Sequence, residues 1–307
     1  MKKNLIQIFI FSSPILLTWL IIFLINPYNF YDIPGIVDNN SKLKIINRSY
    51  EVQMRGNVLW KIFEFRRKPC KNIIIGDSQS YHMNEELITD LTGNKFYNLS
   101  IPGANMETKF NIFWFAIAQS KLDNVIIQLS FPNLVINPKK NLFQFAKDNM
   151  DKPYQYLFNS ATIIDTYQNI KFKITKNFQT EISPFSFPLT TSISKSFVSS
   201  LDGMYINYLY NTNYIDELRK IVTYCKSKDI KIEFLILPMY YEYYNYLTTH
   251  NLMRFYDQFI SNITALGTTY DYSRDSNIIY NEKNFRDFFH QNQCITDSIT
   301  RLIWKKK

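Results

Sequence analysis

The feature that most constrains the fold of this chain is a regular alternation of short apolar runs and longer amphipathic segments from residue 72 onward. The apolar runs have the length of buried strands, and helix-length segments separate them. Because parallel strands need long crossover connections, the alternation predicts an α/β fold, a flavodoxin-like three-layer sandwich with a parallel sheet. The predicted strands are 72–75, 95–99, 124–130, 231–237 and 269–272, and the predicted helices are 80–92, 106–120, 212–228, 246–266 and 296–304.

Two regions fall outside the alternation. Residues 136–205 contain 4 prolines and many Ser and Thr, and we expect a helical cap or long loops inserted into the domain there. Residues 27–70 mix turn formers with an amphipathic stretch at 58–65 and are interpreted as a spacer. The predicted organisation is therefore an N-terminal anchor at 1–26, this spacer, and one core domain at 71–307.

The N-terminal segment from Leu5 to Ile25 carries no charge and is almost wholly apolar. At a rise of about 1.5 Å per residue it matches a hydrocarbon thickness of about 30 Å, which predicts a transmembrane helix. A cleaved signal peptide is the alternative, but its apolar region would be shorter and followed by small residues. Because Lys2 and Lys3 precede the segment, we expect a single-pass membrane protein with its main domain on the periplasmic or extracytoplasmic side.

The charge balance limits the classes of partner. The net charge is +9, with a basic cluster ahead of the first predicted strand, so the membrane surface and acidic glycans are candidate partners. The alternative is that these charges only solvate exposed faces. No nucleic-acid-binding motif accompanies them, and we expect no nucleic acid as a partner. The 3 cysteines lack metal-site spacing, so no metal and no cofactor are predicted.

Two short segments carry candidate chemistry. Gly76-Asp77-Ser78 directly follows the strand predicted at 72–75, at the sheet edge where α/β folds bind ligands. A serine hydroxyl is a poor nucleophile without a general base, and that base needs a third group to orient it. Asp287 and His290 fit these roles, because their spacing lets the carboxylate reach Nδ1 and leaves Nε2 free to face Ser78.

Each assignment has a structural alternative. Ser78 could only cap the following helix, since serine is favoured at helix starts. His290 could be a half-buried polar residue, and Glu282 or Asp275 could replace Asp287 as its partner. His82, close to Ser78, is interpreted as a surface or substrate-contact residue.

With its early Gly-Asp-Ser motif and its late Asp-x-x-His motif, the chain resembles the SGNH (GDSL-type) hydrolase superfamily. The resemblance covers roughly residues 71–135 and 206–304. The resemblance implies catalytic Ser78, Asp287 and His290, and an oxyanion hole formed by the N–H groups of Ser78 and Gly103. Glycine is scarce, with only 7 in 307 residues, which gives weight to Gly76 and Gly103 at the expected positions. The third block of the family, Gly-x-Asn-Asp, is not matched, and Asn133 is only a weak substitute for its oxyanion donor.

The resemblance implies a serine esterase or O-acyltransferase that works through an acyl-serine intermediate. Membrane-anchored proteins with such a domain act in bacterial envelope O-acetylation and D-alanylation. The expected substrate is thus the O-acetyl ester of a cell-envelope polysaccharide or glycolipid, with a multispanning acyltransferase as a candidate partner. Two alternatives stay open: a catalytically silent scaffold or glycan-binding module, and a lipid esterase.

Overall fold

A computed structural model describes residues 2–33, 35–134, 141–177, 195–205, 208 and 210–305. The strands are β1 (Asn72–Ile75), β2 (Phe96–Asn98), β3 (Asn124–Leu129), β4 (Lys231–Ile236) and β5 (Thr269–Asp271). The helices are α1 (Lys2–Ile25), α2 (Asn39–Ile46), α3 (Tyr50–Arg67), α4 (Glu85–Thr92), α5 (Met106–Gln119), α6 (Leu142–Asp151), α7 (Pro153–Phe158), α8 (Ser160–Thr175), α9 (Lys195–Tyr205), α10 (Thr212–Ser227), α11 (Tyr241–Thr249), α12 (Met253–Leu266), α13 (Ser276–Ile279) and α14 (Gln293–Trp304). Short 3₁₀ helices lie at Phe131–Leu134 and Glu282–Asn284.

The chain divides into two compact units. The first comprises Met1–Arg67 and Leu142–Pro184, and the second comprises Lys68–Asn141 and Phe185–Lys307. All five strands that the described residues form belong to the second unit. Within the region predicted as a cap or long loops, residues 136–140 and 178–194 lie outside the described residues.

The sheet of the second unit is parallel, with the strand order β2-β1-β3-β4-β5. Its register pairs Asn72 of β1 with Phe96 on one side and with Asn124 on the other. This strand order is that of flavodoxin-like folds, in which ligands bind outside the carboxyl ends of the strands. The predicted α/β class and parallel sheet are compatible with this architecture.

Helices cover both faces of the sheet. On one face, α4 contacts α14, and Ile74, Ile88, Ile126 and Ile299 are buried in a common core. Helix α5 contacts β1, and α10 contacts β4 and α12. The right-handedness rule for parallel crossovers assigns α5, α10 and α12 to the opposite face. All four residues of β1 are buried, because helices pack against it from both sides.

Two predicted helices begin or end elsewhere. The helix predicted at 80–92 begins only at Glu85, because residues 78–82 form turns and the Asn84 side chain caps the helix by accepting from the Glu86 and Leu87 N–H groups. Ser78 therefore does not lie at a helix N-terminus. The helix predicted at 246–266 is two helices, α11 and α12, and Asn251 between them has a positive φ of 57°.

The predicted transmembrane helix is wrong. Among the residues that the structure describes, none of the helices has both the length and the apolar character needed to cross a membrane, so the single-pass localisation is wrong as well. The prediction rested on the length and the uncharged, largely apolar character of residues 5–25, and it gave no weight to the polar Gln7, Ser12, Ser13 and Thr18 among them. Helix α1 has Pro14 in its interior, and the Ser12 and Ser13 hydroxyls donate to carbonyls of the preceding turn. Near its end, Ile22 and Ile25 are buried within the first unit.

The residues predicted as a spacer form helices α2 and α3 of the first unit. Arg48 and Arg55 both pair with Asp165 of α8, the latter at 2.8 Å, and the Tyr28 hydroxyl also donates to that carboxylate. Asp165 is almost fully buried, and burial raises the pKa of its carboxyl to about 7, while the two guanidinium groups lie against it and favour the charged form. Helices α2 and α3 are thus held by contacts within this unit.

Candidate active site

The segments that follow β1 and β2 run side by side beyond the ends of the strands. The Leu99 N–H donates to the Ile74 carbonyl at 2.7 Å, and the Ile101 N–H donates to the Gly76 carbonyl at 3.0 Å. Ser78 and Gly103 therefore both lie in turns that follow two neighbouring parallel strands, beyond the carboxyl edge of the sheet.

Ser78, His290 and Asp287 form a hydrogen-bonded chain. The Ser78 Oγ lies 2.7 Å from His290 Nε2. On the other side of the ring, His290 Nδ1 lies 2.8 Å from Asp287 Oδ1 and 2.9 Å from Oδ2. The Nδ1–H donates to the carboxylate in this arrangement, which leaves Nε2 as the acceptor for the serine proton.

The loop that carries Asp287 and His290 is closed on itself. Asp287 Oδ1 accepts from the Phe289 and His290 N–H groups, both at 2.9 Å, so the carboxylate is fixed by the backbone beside the ring. An antiparallel bridge joins Phe285 to Gln291 at the two ends of the loop. Of the alternative carboxylates, Asp275 caps α13 instead, and Glu282 lies in a 3₁₀ helix.

Aromatic packing supports the same loop from outside. The Phe288 ring stacks on Phe197 of α9, with their centroids 3.9 Å apart, and Phe289 packs against Phe197 at 5.4 Å. Phe197 and Phe288 are fully buried. Helix α9 therefore contributes to the rigidity of the loop that holds the histidine.

Gly76 is required by close packing beneath the serine. A Cβ atom at this position would lie 2.0 Å from Ser80 Oγ and 2.7 Å from Gln128 Oε1. Those two side chains are themselves fully buried. The absence of a side chain at residue 76 allows the turn with Ser78 to sit directly on β3.

Two backbone N–H groups are available as oxyanion donors. Gly103 has a positive φ of 77° and follows Pro102 in a turn closed by the Ala104 N–H donating to the Ile101 carbonyl at 3.0 Å. Proline followed by a positive-φ glycine is typical of a type II turn. Neither the Ser78 N–H nor the Gly103 N–H has a hydrogen-bond partner among the described residues.

Asn133 is engaged in a buried polar cluster. Its Oδ1 accepts from Lys109 Nζ at 2.6 Å and from the N–H and hydroxyl of Ser130 at 3.1 and 2.9 Å. Its carboxamide also contacts Asp77. The structure thus shows Asn133 facing an ion pair, and its predicted role as an oxyanion donor stays a prediction.

The ion pair in this cluster joins Lys109 of α5 to Asp77, the neighbour of the serine. Lys109 Nζ lies 3.0 Å from Asp77 Oδ2, and the two side chains are only 1% and 9% exposed. Burial opposes ionisation of Asp77, but the charge of Lys109 and several hydrogen bonds outweigh it and lower the pKa of the carboxyl. Burial lowers the pKa of Lys109, and the nearby carboxylate opposes that effect.

Sequence reasoning missed the residues that hold the Ser78 turn. Asn98 Nδ2 contacts the carbonyls of Ser80, Tyr81 and Met83 at 2.9, 3.2 and 3.3 Å. Gln128 Oε1 accepts from the Asp77 N–H at 2.9 Å. A glutamine inside the apolar strand β3 was a detectable signal, because a buried amide needs partners.

His82 lies on the exposed surface. Its Nε2 is 3.4 Å from Arg286 Nη1, and its carbonyl accepts from Gln293 Nε2 at 3.1 Å. These contacts link the serine segment to the histidine segment at the surface. The predicted surface or substrate-contact role of His82 stays a prediction.

Comparison with known proteins does not assign a family. No protein-family model matches the sequence. No curated protein matches it either. One solved structure that it resembles is described as "a putative platelet activating factor from Streptococcus pneumonia", with 10% sequence identity, a TM-score of 0.44, and coverage of 88% of this chain and 100% of that one. A likeness of this size carries no argument about fold or activity.

Proposed function

We propose that this chain is a serine acyl hydrolase or acyltransferase that attacks an ester through Ser78. One observation carries the proposal: Ser78 Oγ, the His290 ring and the Asp287 carboxylate are joined by hydrogen bonds of 2.7 and 2.8 Å across 212 residues of sequence. This is the arrangement that activates a hydroxyl for acyl transfer. The two open N–H groups of Ser78 and Gly103 support it.

The mechanism follows from the donors and acceptors. Ser78 Oγ attacks the ester carbonyl carbon while His290 Nε2 takes the hydroxyl proton, and Asp287 stabilises the imidazolium that forms. The carbonyl electrons move to the oxygen, which the N–H groups of Ser78 and Gly103 receive. Collapse breaks the ester bond, and Nε2 gives its proton to the leaving alkoxide. An acyl-Ser78 intermediate remains.

The second half of the reaction decides between hydrolysis and transfer. Water or an acceptor hydroxyl gives its proton to Nε2 and attacks the acyl carbon. The bond between that carbon and Ser78 Oγ then breaks, Nε2 returns the proton to Oγ, and either an acid or a new ester is released. For the substrate we propose a small acyl ester, the O-acetyl group of a cell-envelope polysaccharide. That choice is supported only by the resemblance of the Gly76 to Ser78 and Asp287 to His290 segments to SGNH hydrolases.

The proposal is tested with an active-site-directed fluorophosphonate. We expect the wild-type protein to be labelled at Ser78 and the Ser78→Ala variant to be unlabelled. The matched control is Ser298→Ala, which removes an exposed serine on α14 whose hydroxyl donates to the Cys294 carbonyl at 2.9 Å. Absence of labelling in folded wild-type protein, as judged by circular dichroism, would refute the proposal. Acetate release from acetylated polysaccharide then tests the substrate.

A catalytically silent scaffold or glycan-binding module is the second candidate. It is favoured by Asn133, whose carboxamide faces Lys109 and Asp77 in the segment where the SGNH third block would supply an oxyanion donor. Unlabelled but folded protein that binds acetylated polysaccharide would support this function instead.

A further inference from the structure

Gln79, the residue after the proposed nucleophile, is almost fully buried and uses both its backbone and its side chain in hydrogen bonds. Its N–H donates to Asp77 Oδ1 at 3.0 Å. Its side-chain Oε1 accepts from Gln128 Nε2 at 3.0 Å. Both contacts lie on the β1 and β3 side of the site, and they fix where Gln79 sits.

The remaining two contacts of Gln79 reach the segment that carries the histidine. Gln79 Nε2 donates to the Phe289 carbonyl at 3.0 Å, and the Gln79 carbonyl accepts from Gln291 Nε2 at 2.9 Å. Phe289 and Gln291 are the immediate neighbours of His290. The backbone on each side of the histidine is therefore tied to the residue that follows Ser78.

The orientation of the Gln79 amide is determined by its neighbours. Gln128 Oε1 accepts from the Asp77 N–H, so Gln128 must present its Nε2 to Gln79. Gln79 then presents Oε1 to Gln128 and Nε2 to the Phe289 carbonyl. A flipped Gln79 amide would place its Nε2 donor against the Gln128 Nε2 donor and its Oε1 acceptor against the Phe289 carbonyl.

We propose that Gln79, together with Gln291, is a positioning residue that sets the contact between Ser78 and His290. The inference rests on the proposed function, because it gives Gln79 its effect only through the histidine. Ser78 and His290 meet through a single side-chain hydrogen bond, whereas Gln79 supplies two further bonds between the same segments. Its substitution would also remove the hydrogen bond from Gln79 Nε2 to the Phe289 carbonyl.

The effect on reaction rate is expected to be large. A displacement of about 1 Å between reacting groups can lower a rate by roughly 10²-fold. We expect Gln79→Leu to lower the second-order rate of fluorophosphonate labelling by about this factor. Gln79→Glu keeps the length of the side chain but loses the Nε2 donor, so it should also be slow.

Gln119→Leu is the matched control. Gln119 is half-buried at the end of α5 and takes no part in the site. We expect this variant to be labelled at the wild-type rate. Wild-type rates in Gln79→Leu and Gln79→Glu would overturn the proposal while leaving the role of Ser78 intact.

A double variant separates positioning from general destabilisation. If Gln79 acts through His290, adding Gln79→Leu to the His290→Ala variant should not lower the labelling rate any further, because the effects of residues that act as a unit are not additive. If Gln79 acts only on the fold, the fold-reductions in labelling rate caused by the two substitutions should multiply in the double variant. That result would overturn the proposal.

Hydrogen exchange gives a readout that does not depend on reactivity. In Gln79→Leu we expect faster exchange of the Phe289 and His290 N–H groups, which donate to Asp287 in the closed loop. Exchange in β3 should stay at the wild-type rate. Unchanged protection of the loop would contradict the proposal even if labelling slowed.

Discussion

The buried ion pair beneath the serine gives the sharpest prediction about stability. Lys109 Nζ has three acceptors: Asp77 Oδ2 at 3.0 Å, the Gln128 carbonyl at 2.9 Å and Asn133 Oδ1 at 2.6 Å. Lys109→Met keeps the volume of the side chain but removes its charge and all three hydrogen bonds. Breaking a buried pair from one side costs about 3–5 kcal/mol, because the other charge stays buried without compensation. That is roughly a 10²- to 10⁴-fold change in the folded-to-unfolded ratio.

The measurement should follow the unit that contains the sheet, because a chain of two units need not unfold in one step. Native-state hydrogen exchange of the β1 amides reports the opening free energy of that unit. The Lys109→Met, Asp77→Asn double variant should lose clearly less stability than Lys109→Met alone, since neither charge is then left unpaired.

The matched control is Lys231→Met. Lys231 pairs with Glu233 at 3.0 Å on β4 of the same sheet, but the Lys231 side chain is 62% exposed. Glu233 is buried and also accepts from the Tyr270 hydroxyl at 2.9 Å, so its carboxylate keeps a donor when Lys231 is replaced. Replacing this solvent-exposed lysine should therefore accelerate exchange much less than Lys109→Met does. If Lys109→Met proved no more destabilising than Lys231→Met, the assignment of Lys109 as the compensating charge of the site would be refuted.

Two further predictions concern the same turn. Gly76→Ala should lower the melting temperature and abolish probe labelling, because the added Cβ would lie 2.0 Å from the buried Ser80 hydroxyl. The control is Gly203→Ala in α9, where the added Cβ meets nothing within 4 Å and should be tolerated. Equal melting temperatures and labelling of the two variants would contradict this reasoning. Asp77 has a lowered pKa in the folded protein, so its stabilising effect is complete above the unfolded pKa of about 3.9 and is lost as pH falls through the lower folded value. The free energy of unfolding in urea should therefore be higher for the wild type than for Asp77→Asn at pH 5–7, and this difference should shrink below about pH 4. A difference that does not change with pH would contradict the prediction.

Much of the sheet could be predicted because its signals are local. The strand predicted at 72–75 is β1 in the structure, since a β-branched run ended by Gly76 permits little else. The start of α4 was missed, because the turns after Ser78 leave no pattern as clear as a strand and Asn84 supplies the cap. Helix boundaries depend on such capping contacts, which periodicity does not show.

The candidate site divides in the same way. Ser78, Asp287 and His290 could be singled out because their residue types and spacing suggest a chemistry. Lys109 and Gln79 could not, since their roles depend on which buried groups meet. Lys109 did leave a weak signal, because it lies on the same face of α5 as the buried Phe113 and Ala116.

The closed loop between Phe285 and Gln291 has an evolutionary consequence. The proposed general base, His290, and the carboxylate that orients it, Asp287, lie within one short stretch, and the bridge at its ends holds that stretch together. A single deletion of this stretch would remove both the Asp287 carboxylate and the His290 imidazole, while the strands of the sheet would keep all of their pairing. Descendants with an intact sheet and no such stretch are therefore expected to be non-enzymatic relatives rather than enzymes with altered specificity.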